Sequence, residues 1–179
     1  FSDVPNSHWA YAAIIKLKNA GIANGIANRL FAPESNITKA EFTALLIRAA
    51  GIQPAEYKKA FKDVSEADWY ATILQAAYDC SIIGGYEGNF NPNSFITREE
   101  LTKIAVEGYK KIFSLTELEY TEIYFSDKEL LSEWSVLYVK TAFGLGLIRG
   151  DDNNFVPQSF ATRAQAAAII SRILSGFNN

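Results

Sequence analysis

Residues 31–41 read Phe31-Ala32-Pro33-Glu34-Ser35-Asn36-Ile37-Thr38-Lys39-Ala40-Glu41, and closely similar stretches occur twice more along the chain. The second copy is FNPNSFITREE at residues 90–100, and the third is FVPQSFATRAQ at residues 155–165. Each copy places a threonine five residues after the proline, followed three residues later by glutamate or glutamine. That pattern is a capping box, which starts a helix. The stretch therefore predicts a loop that runs directly into a helix, three times.

The residues upstream of each stretch repeat with the same spacing. A phenylalanine lies eight or nine residues before a tryptophan, an aspartate lies two residues after that phenylalanine, and a glycine lies sixteen residues after the tryptophan. The aspartates are Asp3, Asp63 and Asp127, the tryptophans are Trp9, Trp69 and Trp134, and the glycines are Gly25, Gly85 and Gly150. Such fixed spacings indicate internal repeats. We divide the chain into repeats 1–60, 61–124 and 125–179, with linkers of variable length at 51–60 and 109–124.

The apolar residues of each repeat predict two helices. One apolar stripe at helical spacing follows each tryptophan, and another follows each threonine. The first helix should end near Gly21, Ser81 and Gly146, and turn-rich loops should follow at 23–28, 84–89 and 149–154. Because a single helix pair cannot bury its own apolar face, three copies are expected to pack together. We predict a mainly all-α fold of three helix-loop-helix repeats closed into a pseudo-threefold bundle. The second helices would form a central three-helix hub, with three grooves between the surrounding lobes.

Composition excludes several classes of function. The chain has 179 residues and a net charge of −3, whereas a nucleic-acid binder would normally carry a basic excess. A single histidine, His8, and a single cysteine, Cys80, exclude a histidine-rich metal site and an internal disulfide. No apolar run approaches the ~20 residues needed to cross a bilayer. We therefore expect no metal or other cofactor, and neither a nucleic-acid nor a membrane partner.

The full pattern, Phe-x-Asp-Val…Trp…Gly-Ile…Gly…Phe-x-Pro…Ile-Thr-Arg-x-Glu, resembles the S-layer homology (SLH) family, in three copies that cover essentially the whole chain. The resemblance implies a three-lobed, pseudo-trimeric fold and non-covalent attachment of a secreted protein to secondary cell wall polymers of Gram-positive bacteria. It also implies a ligand, a terminal N-acetylmannosamine carrying a pyruvate ketal, whose carboxylate meets the signature arginine. Some outer-membrane relatives bind peptidoglycan instead.

The resemblance also sets expectations about location and assembly. The module should act at the cell wall or S-layer, as a monomer when isolated. Polar Ser2 and Asp3 follow Phe1, so no signal peptide is visible, and we expect any export signal to lie outside these residues.

The residues themselves suit an anionic sugar. Lys39, Arg98 and Arg163 follow the cap threonines, where free backbone N–H groups and the helix dipole would favour an anion. A guanidinium adds two parallel hydrogen bonds to a carboxylate. The other candidates are the repeated tryptophans as stacking platforms, the glycines for close backbone approach, and the aspartates as acceptors from sugar hydroxyls. Each has a structural alternative: ion-paired cations, tryptophan wedges between helices, glycines needed for turns, and aspartates that cap the first helices.

The three copies are not equivalent. Lys39 lacks the guanidinium fork, and the third copy has Ala161 before its cap and Gln165 in place of glutamate. We therefore expect one or two binding grooves, each shared between adjacent copies, with the groove around Arg98 as the first choice. An alternative function is protein–protein assembly within a surface lattice. Catalysis is not expected, because adjacent carboxylates such as Glu99 and Glu100 diverge, whereas hydrolases need two that face one bond.

Overall fold

The computed structural model describes residues 1–27 and 29–176, a part of the chain that contains six α-helices and no β-strands. The helices are α1 (Tyr11–Asn19), α2 (Lys39–Ala49), α3 (Ala71–Asp79), α4 (Arg98–Ile112), α5 (Val136–Gly144) and α6 (Arg163–Ser175). Two short 3-10 helices, Lys128–Leu130 and Glu133–Ser135, precede α5. The mainly all-α fold class is confirmed. Asn28 of the first predicted loop and residues 177–179 of the third predicted repeat lie outside the described residues.

The second helix of each repeat begins at a capping box, as predicted. In α2 the Thr38 hydroxyl oxygen accepts a hydrogen bond from the Glu41 N–H at 3.2 Å, and Glu41 Oε2 accepts one from the Thr38 N–H at 2.9 Å. The same reciprocal pair starts α4 with Thr97 and Glu100, and α6 with Thr162 and Gln165. Such a box satisfies two backbone N–H groups that a helix start otherwise leaves without partners.

The first helix of each repeat ends where the sequence predicted. Gly21, Ser81 and Gly146 take left-handed φ values of 70°, 60° and 68°. After α1 the Ile22 N–H donates to the Leu17 carbonyl at 2.9 Å, and the corresponding bond closes the other two helices. These are Schellman ends, in which a left-handed residue lets the chain turn off the helix axis.

The predicted linker at 109–124 is wrong in its first four residues. Helix α4 continues to Ile112 and ends before Ser114, which has a φ of 52°. Tyr109 and Ile112 are partly buried against the hydrophobic core. Their apolar packing explains the extra turn, because burial of one face stabilises a helix more than its intrinsic propensity does.

The second helices form the predicted hub: α2, α4 and α6 each contact the other two. These helices carry small or branched apolar residues, of which Ala44, Ala105 and Ile170 are almost completely buried. Gly108 on α4 lies against Leu46 on α2 so closely that a Cβ atom at position 108 would stand 2.5 Å from Leu46 Cδ2. The hub is therefore packed without room for an additional methyl group at this point.

Replacing Gly108 by alanine should destabilise the protein. Alanine favours a helix interior by about 1 kcal/mol over glycine, but overpacking a filled core costs about 1–3 kcal/mol, so the net loss should be at most about 2 kcal/mol. Chemical denaturation followed by circular dichroism measures the change. Gly21→Ala is the control for a substitution that adds a methyl group without overpacking. No atom lies within 4 Å of its Cβ position, and only the left-handed φ opposes the change.

Backbone hydrogen bonds join the three repeats in a closed cycle. The Ile37 N–H donates to the Ala161 carbonyl, the Ala161 N–H to the Ile96 carbonyl, and the Ile96 N–H to the Ile37 carbonyl, at 2.9–3.0 Å. Helix α1 of the first repeat also packs against α6 of the third. The array is therefore closed rather than open, as predicted. This cyclic connectivity is what a pseudo-threefold bundle requires, and the threefold relation itself stays a prediction.

The sequence repeat is not the unit of packing. Helix α3 of the second repeat packs against α2 of the first, α5 packs against α4, and α1 packs against α6. Each first helix thus lies on the second helix of the preceding repeat rather than on the one that follows it in the same copy. Each lobe and the grooves beside it are consequently built from more than one copy. None of the described helices is long and apolar enough to cross a membrane.

Candidate functional site

The described residues form two grooves between the repeats that bear on the predicted site. The first, called here the Arg98 groove, has a volume of about 490 Å³ and lies between the start of α4, the loop that contains Gly150, and α6. The second, called the Lys39 groove, has a volume of about 380 Å³ and lies between the start of α2, the loop that contains Gly85, and α4.

Each groove combines predicted residues from all three repeats. The Arg98 groove is lined by Arg98 from the second repeat, Gly150 from the third and Trp9 from the first. The Lys39 groove is lined in the same cyclic order, by Lys39, Gly85 and Trp134. Sequence reasoning expected a cation from one copy and a loop from the next. It did not anticipate that the tryptophan comes from the remaining copy. The third set, Arg163, Gly25 and Trp69, lines neither of these grooves.

Arg98 has no carboxylate partner within 4 Å among the described residues. Its Nε donates to the Phe155 carbonyl at 2.6 Å, and its guanidinium carbon lies 5.0 Å from the centre of the Phe155 ring. These contacts fix the side chain, while neither Nη nitrogen has a hydrogen bond with any residue that the structure describes. Burial lowers the pKa of Arg98, and the charges of Asp151 and Asp127 partly oppose that shift. Arg98 is thus a partly buried positive charge that lines a cleft, with no hydrogen bond from either Nη nitrogen to the described residues.

The other two cations are ion-paired. Lys39 Nζ lies 2.6 Å from Glu100 Oε1, and Arg163 Nη1 lies 3.1 Å from Glu41 Oε1. The Arg163 side chain is the more buried of the two cations, with 9% of its surface exposed against 18% for Lys39. The alternative that the cations are ion-paired therefore holds for two of the three copies.

The difference between the copies has a simple cause in the third residue of each capping box. Glu41 and Glu100 each use Oε2 for the cap and leave Oε1 for the cation of the preceding copy in the cycle. Gln165 also uses its one oxygen, Oε1, for the cap, bonding the Thr162 N–H at 3.1 Å. Its remaining polar atom is an amide nitrogen, which is a donor and cannot accept a bond from Arg98. Gln165 and Arg98 line the same groove, so Arg98 has an amide donor in the place where the other two cations have a carboxylate partner.

The predicted anion site on the free N–H groups of these helix starts is wrong. The N–H of Arg98 donates to the Ser159 carbonyl at 2.9 Å, that of Glu99 to the Pro157 carbonyl at 3.2 Å, and that of Glu100 to the Thr97 hydroxyl. At the starts of α2 and α6, the first two backbone N–H groups likewise donate to carbonyls of a neighbouring repeat. Any anion would therefore meet side chains here and not the backbone.

The three repeated aspartates hold the Phe-x-Pro turns. Asp127 accepts hydrogen bonds from the N–H groups of Phe155 at 2.8 Å and Val156 at 2.6 Å. Asp3 and Asp63 make the equivalent bonds, and the residues held in this way, Ala32, Asn91 and Val156, all have left-handed φ values. The alternative that these aspartates cap the first helices is wrong, because α1, α3 and α5 have no side-chain cap. None of the three lines either groove.

The tryptophans are exposed. Trp9, Trp69 and Trp134 expose 60%, 56% and 47% of their surface, so the alternative that they are wedges between helices is wrong. Trp9 lies at the Arg98 groove beside His8, whose ring is stacked on it at 5.8 Å between centroids. An indole face at the edge of a cleft suits the apolar face of a sugar ring.

The glycines of the loops are needed for close approach. A Cβ atom at Gly150 would stand 2.8 Å from Phe125 Cε1, and one at Gly85 would stand 2.8 Å from the Asn89 carbonyl oxygen. Neither residue has a positive φ, whereas Gly25, the third member of this set, has a φ of 76°. Without a side chain at these two positions, each loop can pack closely against its neighbours at the side of its groove.

Sequence reasoning missed two arginines of the Arg98 groove, Arg149 and Arg172. The signal was present for the first of them, because the equivalent positions in the other loops are the uncharged Asn24 and Gly84. Within the described residues no cluster of three or more His, Cys, Asp or Glu side chains could hold a metal ion.

Known proteins are similar to this chain over its whole length. The family model of the S-layer homology domain matches residues 1–43, 60–102 and 124–167, which together make up more than half of the chain. The exoglucanase XynX of Acetivibrio thermocellus is 38% identical over 180 residues, covering 100% of this chain and 16% of the relative.

Two further relatives carry names that concern the cell surface. The cellulosome-anchoring protein of Acetivibrio thermocellus is 30% identical over 164 residues, covering 88% of this chain and 36% of the relative. The S-layer protein sap of Bacillus anthracis is 28% identical over 173 residues, covering 96% and 21%. The chain thus spans a minor part of the length of each of these relatives. On the three matches to the family model, the chain belongs to the S-layer homology domain family.

Proposed function

We propose that this chain anchors a secreted surface protein to the bacterial cell wall by binding an acidic wall polysaccharide in the Arg98 groove. S-layer homology domains are cell-wall binding modules and not catalytic ones, so the enzyme names among the relatives describe other parts of longer proteins. The observation that carries the proposal is the state of Arg98. It is the cap cation that lines a cleft and lacks an internal carboxylate partner among the described residues.

The favoured ligand in this proposal is a terminal N-acetylmannosamine with a pyruvate ketal. Its carboxylate would accept two parallel hydrogen bonds from the free Nη edge of Arg98, a geometry that gives strength and direction. The Gln165 amide would add a third donor. The exposed indole of Trp9 would cover an apolar face of the sugar, and the low loop at Gly150 would admit the ring.

The Arg98 groove is locally basic in an acidic protein. Arg98, Arg149 and Arg172 line it together with two carboxylates, Glu34 and Asp151, while the whole chain has a net charge of −3. An acidic glycan is therefore attracted to one place on the surface rather than to the molecule as a whole. By contrast, the charge of Lys39 in the second groove is already balanced by Glu100.

Substitution of the two groove cations tests the proposal. Arg98→Ala should weaken binding to purified pyruvylated wall polymer by about 2–5 kcal/mol, because it removes a desolvated charge pair. Lys39→Ala should change the affinity by less than about 1 kcal/mol, since it breaks a pair that is internal to the protein. Isothermal titration calorimetry measures both, and thermal unfolding checks that each variant is folded. Equal affinities for the wild type and both variants would reject the proposal.

Protein–protein assembly is the second candidate, and one observation favours it. Phe95 and Phe160 expose 46% and 51% of their surface, and their ring centres lie 5.6 Å apart. An exposed aromatic pair suits a protein contact. Sedimentation with isolated cell walls distinguishes the two functions. Glycan binding predicts that chemical removal of the pyruvate releases the protein. Assembly predicts that removal of the pyruvate has no effect, whereas a Phe95→Ser, Phe160→Ser double variant no longer sediments with the walls.

A further inference from the structure

Two arginines in the Arg98 groove are not explained by the binding of one carboxylate. Arg149 lies in the loop next to Gly150, Arg172 lies on α6, and both line the groove together with Arg98. Three arginine residues therefore line one cleft of about 490 Å³. One carboxylate can occupy the bidentate edge of only one of them.

The carboxylates of the groove do not neutralise this pair. Glu34 Oε1 is bonded to His8 Nε2 at 3.0 Å, and Asp151 acts on Arg98, whose positive charge it favours. Neither Arg149 nor Arg172 has a carboxylate within 4 Å in the part of the chain that the structure describes. Burial lowers the pKa of Arg172, and the neighbouring charge of Arg149 lowers it further. Two like charges thus line one cleft, with Arg149 exposed to solvent and Arg172 partly buried, and an anion bound between them would relieve their repulsion.

Only part of this arrangement has a structural explanation. Arg172 Nη1 donates to the Leu147 carbonyl at 2.8 Å, and Arg48 at the equivalent position of the first repeat points at the Ile22 carbonyl in the same way at 3.4 Å. An arginine on the second helix can therefore close the end of a first helix. Arg149 has no such role: its side chain makes no hydrogen bond or ion pair with the described residues.

The pair is also specific to one groove. The residues equivalent to Arg149 are Asn24 and Gly84, and the residue of the second repeat equivalent to Arg172 is Glu107. Glu107 pairs with Lys110 and accepts a bond from the Tyr138 hydroxyl. The Lys39 groove consequently has no counterpart of the Arg149–Arg172 pair, and the fold does not require one.

We infer that Arg149 and Arg172 form a second anion subsite, so that the Arg98 groove selects a glycan end with two acidic groups. This inference rests on the proposed function of the groove and deepens it. Arg98 would take the carboxylate of the terminal sugar. The Arg149–Arg172 pair would take a second acidic group, either on the same sugar or on the next one in the chain. The ligand class is thus a dianionic saccharide rather than a monoanionic one.

Calorimetry with two synthetic probes tests this subsite. One probe is the methyl glycoside of pyruvylated N-acetylmannosamine, with one carboxylate, and the other is a disaccharide with a pyruvate ketal on each sugar. The wild type should bind the second probe at least about tenfold more tightly, with a steeper loss of affinity as salt is added. Arg149→Ala should remove this advantage and weaken binding of the first probe far less than binding of the second, while Arg149→Lys should restore part of the advantage. Lys111→Ala, which removes one exposed charge at the far end of α4, is the control for net charge.

The outcomes separate this inference from the function on which it rests. If the wild type binds neither probe, the proposed function fails. If it binds both probes equally, or if Arg149→Ala keeps the full preference for the disaccharide, only the second subsite is overturned.

Discussion

Replacing Gln165 by glutamate should close the Arg98 groove to its ligand without harming the fold. A glutamate would keep one oxygen in the capping box and direct the other at Arg98, as Glu100 does with Lys39 at 2.6 Å and Glu41 does with Arg163 at 3.1 Å. The ligand carboxylate would then have to displace an internal carboxylate and face its charge. We expect a loss of about 2–3 kcal/mol, roughly 30- to 150-fold in Kd for the pyruvylated wall polymer.

The folded state should not suffer from this change. The capping box is retained, and an ion pair between partly exposed groups adds at most about 1 kcal/mol, so the melting temperature should stay the same or rise slightly. Calorimetry with the polymer and thermal unfolding of the same samples measure the two effects separately.

A matched control exchanges the same two residue types at the same cap position of another copy. Glu100→Gln removes the carboxylate from Lys39 and leaves the Arg98 groove intact, so binding at Arg98 should persist. If Gln165→Glu binds the polymer as tightly as the wild type while Arg98→Ala does not, the new carboxylate does not reach Arg98, and the explanation of the unequal copies is wrong.

The features that the sequence predicted well depend on short stretches of chain. The capping boxes at Thr38, Thr97 and Thr162 involve residues three positions apart, and the helix ends at Gly21 and Gly146 depend on one left-handed residue each. Because such signals act within one turn of helix, they could be identified without knowledge of the partner elements. The closed arrangement could be expected as well, since closure buries the apolar faces that an open stack of only three helix pairs would leave exposed at its ends.

The features that the sequence did not reveal depend on which copy lies next to which. Nothing in the sequence of α3 indicates that it packs on α2 rather than on α4. The same order of neighbouring copies brings the carbonyls of Pro157 and Ser159 to the start of α4. There they accept hydrogen bonds from the N–H groups that were expected to hold an anion. That order also decides that Gln165, the residue that replaces the cap glutamate, lines the same groove as Arg98. A substitution in one repeat thus determines the state of a cation in another, and spacing alone cannot show this.

Removing the Glu99 carboxylate should give the largest loss of stability among single substitutions near the grooves. Glu99 is 3% exposed, and its carboxylate accepts bonds from the Ser132 N–H, the hydroxyls of Ser132 and Ser135, and the Gln158 amide at 2.7–3.1 Å. It thereby ties α4 to residues 132–135, the segment that carries Trp134 into the Lys39 groove. Glu99→Ala would leave the fully buried Ser135 hydroxyl and the Ser132 N–H without this acceptor. We expect a loss of about 3 kcal/mol, or about 6–12 °C in melting temperature.

The stabilisation by the Glu99 carboxylate should also be visible in the wild type, as a loss of stability at acidic pH. Burial acts to raise the pKa of Glu99, but the hydrogen bonds from Ser132, Ser135 and Gln158 outweigh it and hold the pKa below the ordinary value of 4.5. A group whose pKa is lowered by folding stabilises the protein above its unfolded pKa, and that contribution is lost as the pH falls through the folded value. The difference in unfolding free energy between the wild type and Glu99→Gln should therefore be constant near neutral pH and shrink below pH 4.5. The equivalent residues in the other repeats are Ala40 and Ala164, so this clamp occurs once. A difference that stays the same from pH 7 to pH 3 would mean that the ionised carboxylate does not hold the segment around Trp134.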